Sequence, residues 1–123
     1  MTMARADDPL IIGVVGPCGS GKSTLIHGLQ ERGYSCRHIA QEHSYVKDMW
    51  RRIGRPDLLI FLDASFPVST ARRSLGWLER DYAEEQRRLA HARAHADLLI
   101  DTDKLTAREV LDQVLVFLGK NSL

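Results

Sequence analysis

The fold is decided by residues 10–23, which read Leu10-Ile11-Ile12-Gly13-Val14-Val15-Gly16-Pro17-Cys18-Gly19-Ser20-Gly21-Lys22-Ser23. The first six residues form an unbroken apolar run, which is typical of a strand covered on both faces. The next six include three glycines and a proline, a composition that predicts a loop. Residues 22–32 then place Leu25, Ile26 and Leu29 on one helical face, with Gly33 as the terminating residue. The stretch therefore predicts a buried strand, a glycine-rich loop and a helix in immediate succession.

Beyond this stretch, apolar strand patterns alternate with amphipathic helix patterns. The patterns predict strands at 34–39, 58–62 and 98–100, and helices at about 45–53, 65–73, 78–94 and 106–119. The residues expected to face inward on the first and third of these helices are Val46, Met49, Trp50 and Ile53, and Leu78, Tyr82, Leu89 and Ala92. Thr106 and Glu109 have the spacing of a capping box at the start of the last helix. Strands that alternate with helices predict an α/β fold, a three-layer sandwich around a mostly parallel four-stranded sheet.

Length, charge and hydropathy restrict the classes of protein. With 123 residues, we expect a flexible tail over 1–9 and a single domain over 10–123. Lys and Arg total 17 against 16 Asp and Glu, so the net charge of +1 gives no signal for nucleic-acid binding. The longest apolar runs are too short for a membrane span, and the N-terminus lacks the apolar segment of a secretory signal. Two cysteines cannot form a disulfide framework, so we expect a cytoplasmic protein.

Residues 16–23 match the phosphate-binding pattern G-x-x-x-x-G-K-S/T in full. Glycines let backbone N–H groups approach phosphates closely, and the N-terminus of the following helix adds unpaired donors and a positive dipole end. In this pattern Lys22 contacts the β and γ phosphates, and the Ser23 hydroxyl is a ligand of Mg²⁺. Lys22 is expected to face solvent when no ligand is bound. The alternative is a glycine-rich turn that ends in Lys-Ser by chance.

Three segments together resemble the P-loop kinase superfamily of small-molecule kinases, which includes nucleoside, nucleotide, shikimate and adenylylsulfate kinases. The first is the loop at 16–23 with Thr24 after it, and the second is 58–65 with Arg72 and Arg73 beyond it. The third is 96–103, followed by the capping box. The second segment looks like the strand, helix and lid of these kinases, and the third like their last strand and the loop that borders the adenine ring.

The resemblance implies P-loop NTPase topology and a kinase that takes ATP or GTP as phosphoryl donor and Mg²⁺ as cofactor. It implies that Arg72 and Arg73, within a lid at 70–82 that contains Trp77, reach the nucleotide. Asp63 resembles the acid that orients Mg²⁺, so the metal residues expected are Ser23 and Asp63. The remaining residues expected to bind nucleotide are Gly16, Cys18, Gly19, Ser20, Gly21, Lys22, Ser23, Thr24, Thr102 and Asp103.

The acceptor side departs from the pattern of these kinases. Only residues 40–57 lie between the second strand and the lid-side strand, and one strand with its acidic residue is missing. Glu42 follows the second strand, where ligands of open α/β sheets bind. It could accept the proton of an acceptor hydroxyl, as the equivalent acid does in similar deoxynucleoside kinases, or orient Mg²⁺. The chain is then a kinase for a small metabolite or nucleotide, an NTPase or switch that acts through a protein partner, or a catalytically inactive fold.

Several other clusters have two interpretations. Arg51, Arg52 and Arg55 could hold an anionic acceptor or be a hydrated charged face. Trp50 is expected in the core rather than as a stacking platform. His91 and His95 have the i, i+4 spacing that allows a shared metal ion, but no third ligand is evident. The run of Glu84, Glu85, Arg87 and Arg88 is interpreted as a solvated helix face.

Overall fold

The structure is a computed structural model that describes residues 10–73 and 78–121. The predicted tail at 1–9 and Trp77 of the predicted lid lie outside the described residues. The strands are β1 (Ile11–Val15), β2 (Ser35–His38), β3 (Leu58–Asp63) and β4 (Leu98–Asp101). The helices are α1 (Lys22–Gln30), α2 (Phe66–Arg73), α3 (Glu79–His95) and α4 (Ala107–Asn121). Except between β2 and β3, the alternation of strand and helix predicted from the sequence is confirmed.

The described strands form one sheet in the order β2-β1-β3-β4, with every pairing parallel. Val14 pairs with His38 on one side and with Ile60 on the other, so β1 lies inside the sheet. Parallel neighbours end at the same edge, where the chain leaves β1 for the glycine-rich loop and β2 for Glu42. The parallel α/β sheet expected from the unbroken apolar runs is therefore present, and its carboxyl edge carries the motif residues.

Both faces of the sheet are covered. Ile12, Val14, Ile60 and Leu62 point to the face on which α1 and α4 pack, a cluster that includes Leu25 and Val114. Val15, Leu59 and Phe61 point to the opposite face, where Leu89 and Ala92 of α3 pack with Trp50. This alternation of inward residues follows from the two-residue period of a strand. The helices on both faces leave the carboxyl edge of the sheet open as the place for a site.

The predicted helix at 45–53 is wrong. The segment is a series of turns that ends in a single π-helical turn at Trp50–Gly54, and Val46 and Ile53 are exposed. The Gln41 side chain accepts the Trp50 N–H at 2.8 Å and donates to the Val46 carbonyl at 2.8 Å. A side chain thus satisfies backbone groups that a helix would have paired. Of the four residues predicted to face inward, Trp50 is buried in the core and Met49 packs against it half-buried.

Helix ends agree better with the sequence. The Glu109 N–H donates to the Thr106 hydroxyl at 3.1 Å, and the Thr106 N–H donates to the Glu109 carboxylate at 2.8 Å. The predicted capping box is therefore confirmed. In α3, Leu89 and Ala92 are buried as predicted, but Leu78 is exposed just before the helix begins. Among the described residues, no helix combines the length and apolar character that a membrane crossing requires.

Candidate functional site

The loop between β1 and α1 is strongly bent, and its glycines make the bend possible. Gly19 and Gly21 have φ of 81° and 97°, in the left-handed region that favours glycine. A Cβ atom on Gly19 would lie 2.7 Å from the Ser69 carbonyl oxygen of α2, whereas one on Gly21 would meet nothing within 4 Å. Gly19 is thus required for packing as well as for the turn. Gly21 stands beside open space at the start of α1.

The N-terminus of α1 points its unpaired donors into that space. Gly21 precedes the helix and provides no side-chain cap. The first N–H groups of a helix have no partner within it, so those of Lys22, Ser23 and Thr24 are available to a ligand. The first turn contains no acidic residue that would cancel the positive end of the helix dipole. This end of the helix is therefore suited to an anion.

Lys22 is not solvent-facing, contrary to the expectation from the sequence. It is 7% exposed, and its Nζ donates to the carbonyls of Gly16 and Pro17 at 2.7 and 3.1 Å. The same Nζ lies 3.1 Å from Oε2 of Glu42, which is itself 3% exposed. The loop carbonyls and the Glu42 carboxylate thus surround the Lys22 ammonium, because a buried ammonium needs partners.

Two clefts flank the start of α1. The first, of about 420 Å³, lies on the β2 side and brings Glu42 and His43 opposite Lys22 and Ser23. The residues that line this first cleft are Cys18, Gly19, Gly21, Lys22, Ser23, Thr24, His38, Glu42 and His43. The second, of about 250 Å³, lies on the α4 side. Its lining residues are Ser20, Gly21, Thr24, Leu25, Arg72, Thr102, Leu105, Ala107 and Val110. Gly21 and Thr24 line both clefts, so the helix N-terminus lies between a polar and a more apolar recess.

Arg72 joins α2 to the second cleft. Its guanidinium donates to the carbonyls of Gly19 and Thr102 at 3.2 and 2.6 Å, and to the Thr102 hydroxyl at 2.9 Å. Thr102 is 1% exposed, and its hydroxyl also lies 2.9 Å from the Asp63 carbonyl. Arg72 and Thr102, both predicted from the sequence to contact the nucleotide, therefore lie together beside Gly19 of the glycine-rich loop. The side chain of Arg73 lies outside the described residues.

Asp63 and Asp103 are not placed on either cleft. The Asp63 carboxylate accepts from Arg93 at 3.0 Å, and the Asp103 carboxylate accepts from the Ser65 N–H at 2.9 Å. Burial raises the pKa of the neighbouring Tyr82 hydroxyl, and the charge of Asp63 adds to this effect. Of the predicted acidic residues, Glu42 is the one that lines the cleft with Ser23.

Three residues of the site were missed or misread in the sequence. Glu85 is buried at 6% exposure rather than solvated, and its carboxylate accepts from the Cys18 N–H and Sγ at 3.0 and 3.1 Å. His43 lies at the rim of the first cleft. Gln41 is fully buried, and its side-chain amide also donates to the Arg88 carbonyl of α3 at 3.2 Å. These contacts join residues more than 20 positions apart, so no local pattern could have revealed them.

The remaining predicted clusters have structural roles. Arg51 and Arg52 pair with Asp48, and the hydrogen bond from Arg52 is the main cause that lowers the pKa of that carboxyl. The imidazole rings of His91 and His95 are stacked, with their centroids 4.3 Å apart. The His91 Nδ1 accepts the Trp50 indole N–H at 3.1 Å, a bond that holds the indole in the core. Within the described residues, this histidine pair is not part of a three-ligand cluster.

Comparison with known proteins gives no relative from which the role of the site could be inferred, so its geometry is the basis for the proposal below. No protein-family model matches this chain, and no curated protein matches it significantly.

Proposed function

We propose that this chain binds the triphosphate of ATP or GTP at residues 16–24, with Mg²⁺, and transfers the γ-phosphoryl group to a small metabolite or nucleotide. The observation that carries the proposal is the position of the α1 N-terminus between two clefts that meet at Gly21 and Thr24. A nucleotide has a flat base at one end and a reactive phosphate at the other, so it requires two connected recesses of different character. We propose the cytoplasm as its compartment.

The second cleft suits the base. Leu25, Leu105 and Val110 supply apolar surface, while the guanidinium of Arg72 supplies a plane that can stack on a ring or bind phosphate. The Thr102 hydroxyl holds that guanidinium in place. The triphosphate would then pass over Gly21 toward Lys22 and Ser23, along the unpaired N–H groups of α1.

The first cleft suits phosphoryl transfer. Transfer needs alignment and neutralisation of charge on the moving phosphoryl group. Lys22 and the helix N-terminus would supply positive charge, and the exposed Ser23 hydroxyl would hold Mg²⁺. Three buried side-chain oxygens of the described residues lack a hydrogen-bond partner, and Oε1 of Glu42 is one of them. A buried polar atom without a partner is uncommon, which supports a ligand in this cleft.

The Lys22–Glu42 pair would couple the two substrates. When the phosphates attract Lys22, the Glu42 carboxylate loses its counter-ion and becomes available to the acceptor. Glu42 would then accept the proton of the acceptor hydroxyl as its oxygen bonds to the γ-phosphorus, and the nucleoside diphosphate would leave with the bridging oxygen. The base would thus be released only when the donor is bound.

The test is a screen of ADP and GDP release against nucleosides, nucleotides and sugars as acceptors. We expect stimulation by one small molecule, and a fall in turnover of about 10²–10⁴ in Glu42→Gln, the range typical of a lost general base. The matched control is Glu31→Gln, because Glu31 is an exposed carboxylate at the C-terminal end of α1, away from the clefts at its N-terminus. Release that responds only to a protein, or is unchanged in Glu42→Gln, would contradict the acceptor site and favour an NTPase or switch.

A further inference from the structure

A cluster of potential metal ligands lies at the edge of the first cleft, apart from the residues proposed to hold Mg²⁺. It consists of Cys18 in the loop, His43 after β2 and Glu85 in α3. The Cys18 Sγ, the His43 Nε2 and a carboxylate oxygen of Glu85 all lie within 4.8 Å of one another. In the part of the chain that the structure describes, this is the one group of three such side chains.

We propose that Cys18, His43 and Glu85 bind one divalent transition-metal ion, for which zinc is the best match. Thiolate, imidazole and carboxylate are the usual protein ligands of zinc, whereas a sulfur ligand is unsuited to Mg²⁺. Three protein ligands leave a fourth position open, and Cys18 and His43 both line the first cleft. The open position would therefore face that cleft and hold water or an anionic ligand.

The distances already approach those of a tetrahedral site. Zinc bonds of about 2.3 Å to sulfur and about 2.0 Å to nitrogen place the two ligand atoms about 3.5 Å apart. The Cys18 Sγ lies 3.8 Å from the His43 Nε2 and 3.1 Å from Oε2 of Glu85. The two distances from Cys18 Sγ differ from the tetrahedral value by only a few tenths of an ångström. The largely exposed His43 ring can move toward Glu85, whose carboxylate lies within 4.8 Å of it.

The burial of Glu85 is a second, independent reason to expect a cation. Glu85 is 6% exposed, and its carboxylate accepts from the N–H and Sγ of Cys18, with no Lys, Arg or His in an ion pair with it among the described residues. A buried carboxylate without a counter-charge is costly, and a bound cation is one of the ways in which proteins compensate for it. Glu42, by contrast, has Lys22.

Binding exchanges one proton for the metal. In the metal-free chain, the Cys18 thiol donates its proton toward Oε2 of Glu85. When the sulfur–metal bond forms, that proton leaves to solvent, and Oε2 turns from accepting a hydrogen bond to ligating the ion. Oε1 of Glu85 can keep its bond from the Cys18 N–H, so the backbone of the loop would stay attached to α3. No redox change is involved.

The experiment is a titration of the full chain with Co²⁺ alone, followed by absorption of the thiolate-to-cobalt charge-transfer band, and then displacement by Zn²⁺. We expect one equivalent to bind and the band to vanish in Cys18→Ser but persist in Cys36→Ser. Because His43 is largely exposed, His43→Gln should fold, and its affinity should fall at least about tenfold, as does that of other sites that lose a supporting ligand. His38→Gln is the matched control, since His38 lines the same cleft outside the cluster.

The outcome is independent of nucleotide binding, because the titration contains no nucleotide. An excess of Mg²⁺ should leave the band unchanged. No stoichiometric band in the wild-type chain, an undiminished band in Cys18→Ser, or equal affinities of His43→Gln and His38→Gln would overturn the metal site.

Discussion

Lys22 is a buried cation whose partners all come from the chain itself. Its ammonium is buried with the Glu42 carboxylate and two loop carbonyls. A buried ion pair contributes little net stability, because desolvation of both groups offsets their attraction. Removal of one partner is much more costly, because the other charge stays buried. The pair is therefore better suited to exchange with a ligand than to stabilise the fold.

We predict that Lys22→Met destabilises the chain by about 3–5 kcal/mol, because Glu42 is left buried without its counter-ion. The double variant Lys22→Met/Glu42→Gln should recover most of this loss, because both charges are gone. Urea denaturation followed by circular dichroism measures both free energies of unfolding. If the double variant were no more stable than Lys22→Met, the two residues would not be coupled as described.

At the scale of single residues, the sequence identifies the residues of the glycine-rich loop but not the distant residues that contact them. Gly19, Gly21 and Lys22 belong to a local motif, and their types are dictated by the turn and the helix start. The predicted exposure of Lys22 is wrong because its counter-ion, Glu42, comes from the turn that follows β2. Glu85 looked like part of a solvated face because its contacts with Cys18 span 67 positions.

Among the elements, the short 3₁₀ turn Gln41–His43 positions the polar side of the site. It carries Glu42 and His43 into the first cleft. The side chain of Gln41 attaches the turn to the Arg88 carbonyl of α3 and to the backbone N–H of Trp50. A strand-end loop without regular hydrogen bonds would otherwise be mobile. The buried side-chain amide of Gln41 provides hydrogen bonds in place of the backbone hydrogen bonds that a helix would have formed.

We predict that Gln41→Leu destabilises the chain by about 1–3 kcal/mol for each buried backbone group that it leaves unpaired. It should also lower turnover more than it lowers nucleotide affinity, because it displaces Glu42 rather than the loop. Chemical denaturation and a steady-state assay with the acceptor identified in the screen measure the two effects. Gln113→Leu is the control, since Gln113 is exposed on α4. Equal stability of the two variants would contradict the anchoring role.

The contact between α3 and the turn at Trp50 should depend on pH. Burial is the main cause of the lowered pKa of His91, and the charges of His95 and Arg51 lower this pKa further. In the unfolded chain the pKa returns to about 6.5, so the unfolded state binds more protons below that value. The contribution of neutral His91 to the free energy of unfolding is fully present above the ordinary pKa of histidine and is lost as the pH falls below it.

We therefore predict that the urea midpoint decreases between about pH 7.5 and about pH 5.5, on either side of the ordinary histidine pKa. In His91→Gln the decrease should be smaller, because glutamine can still accept the Trp50 N–H but does not titrate. His27→Gln, at an exposed position on α1, should keep the full wild-type decrease. The same pH dependence in His91→Gln and in the wild type would contradict this assignment.

At the scale of the molecule, the described residues form a parallel sheet between helices, with the candidate site at one edge. The sequence predicted this arrangement because buried parallel strands are continuous apolar runs, and β1 and β3 have them clearly. It failed at 45–53, where helical spacing of apolar residues was coincidental and side-chain hydrogen bonds determine the backbone. Hydrophobic patterns with a period of 2 or 3.6 residues indicate which face of a strand or helix packs against a neighbouring element. They do not predict the structure of a segment whose backbone is held by individual polar contacts.

The most direct test of the central claim, that the loop at 16–24 binds a triphosphate, is a calorimetric titration of Mg·ATP and Mg·GTP into Gly21→Asp and Gly33→Asp. Both glycines have positive φ, 97° and 88°, and at both a Cβ would meet nothing within 4 Å. The two substitutions therefore introduce a similar backbone strain, because both place a side chain on a residue with positive φ. Only Gly21→Asp places a negative charge where the phosphates would lie. We predict wild-type affinity in Gly33→Asp and at least about tenfold weaker binding, about 1.4 kcal/mol, in Gly21→Asp. Equal affinities, or no binding by the wild-type chain, would contradict the claim.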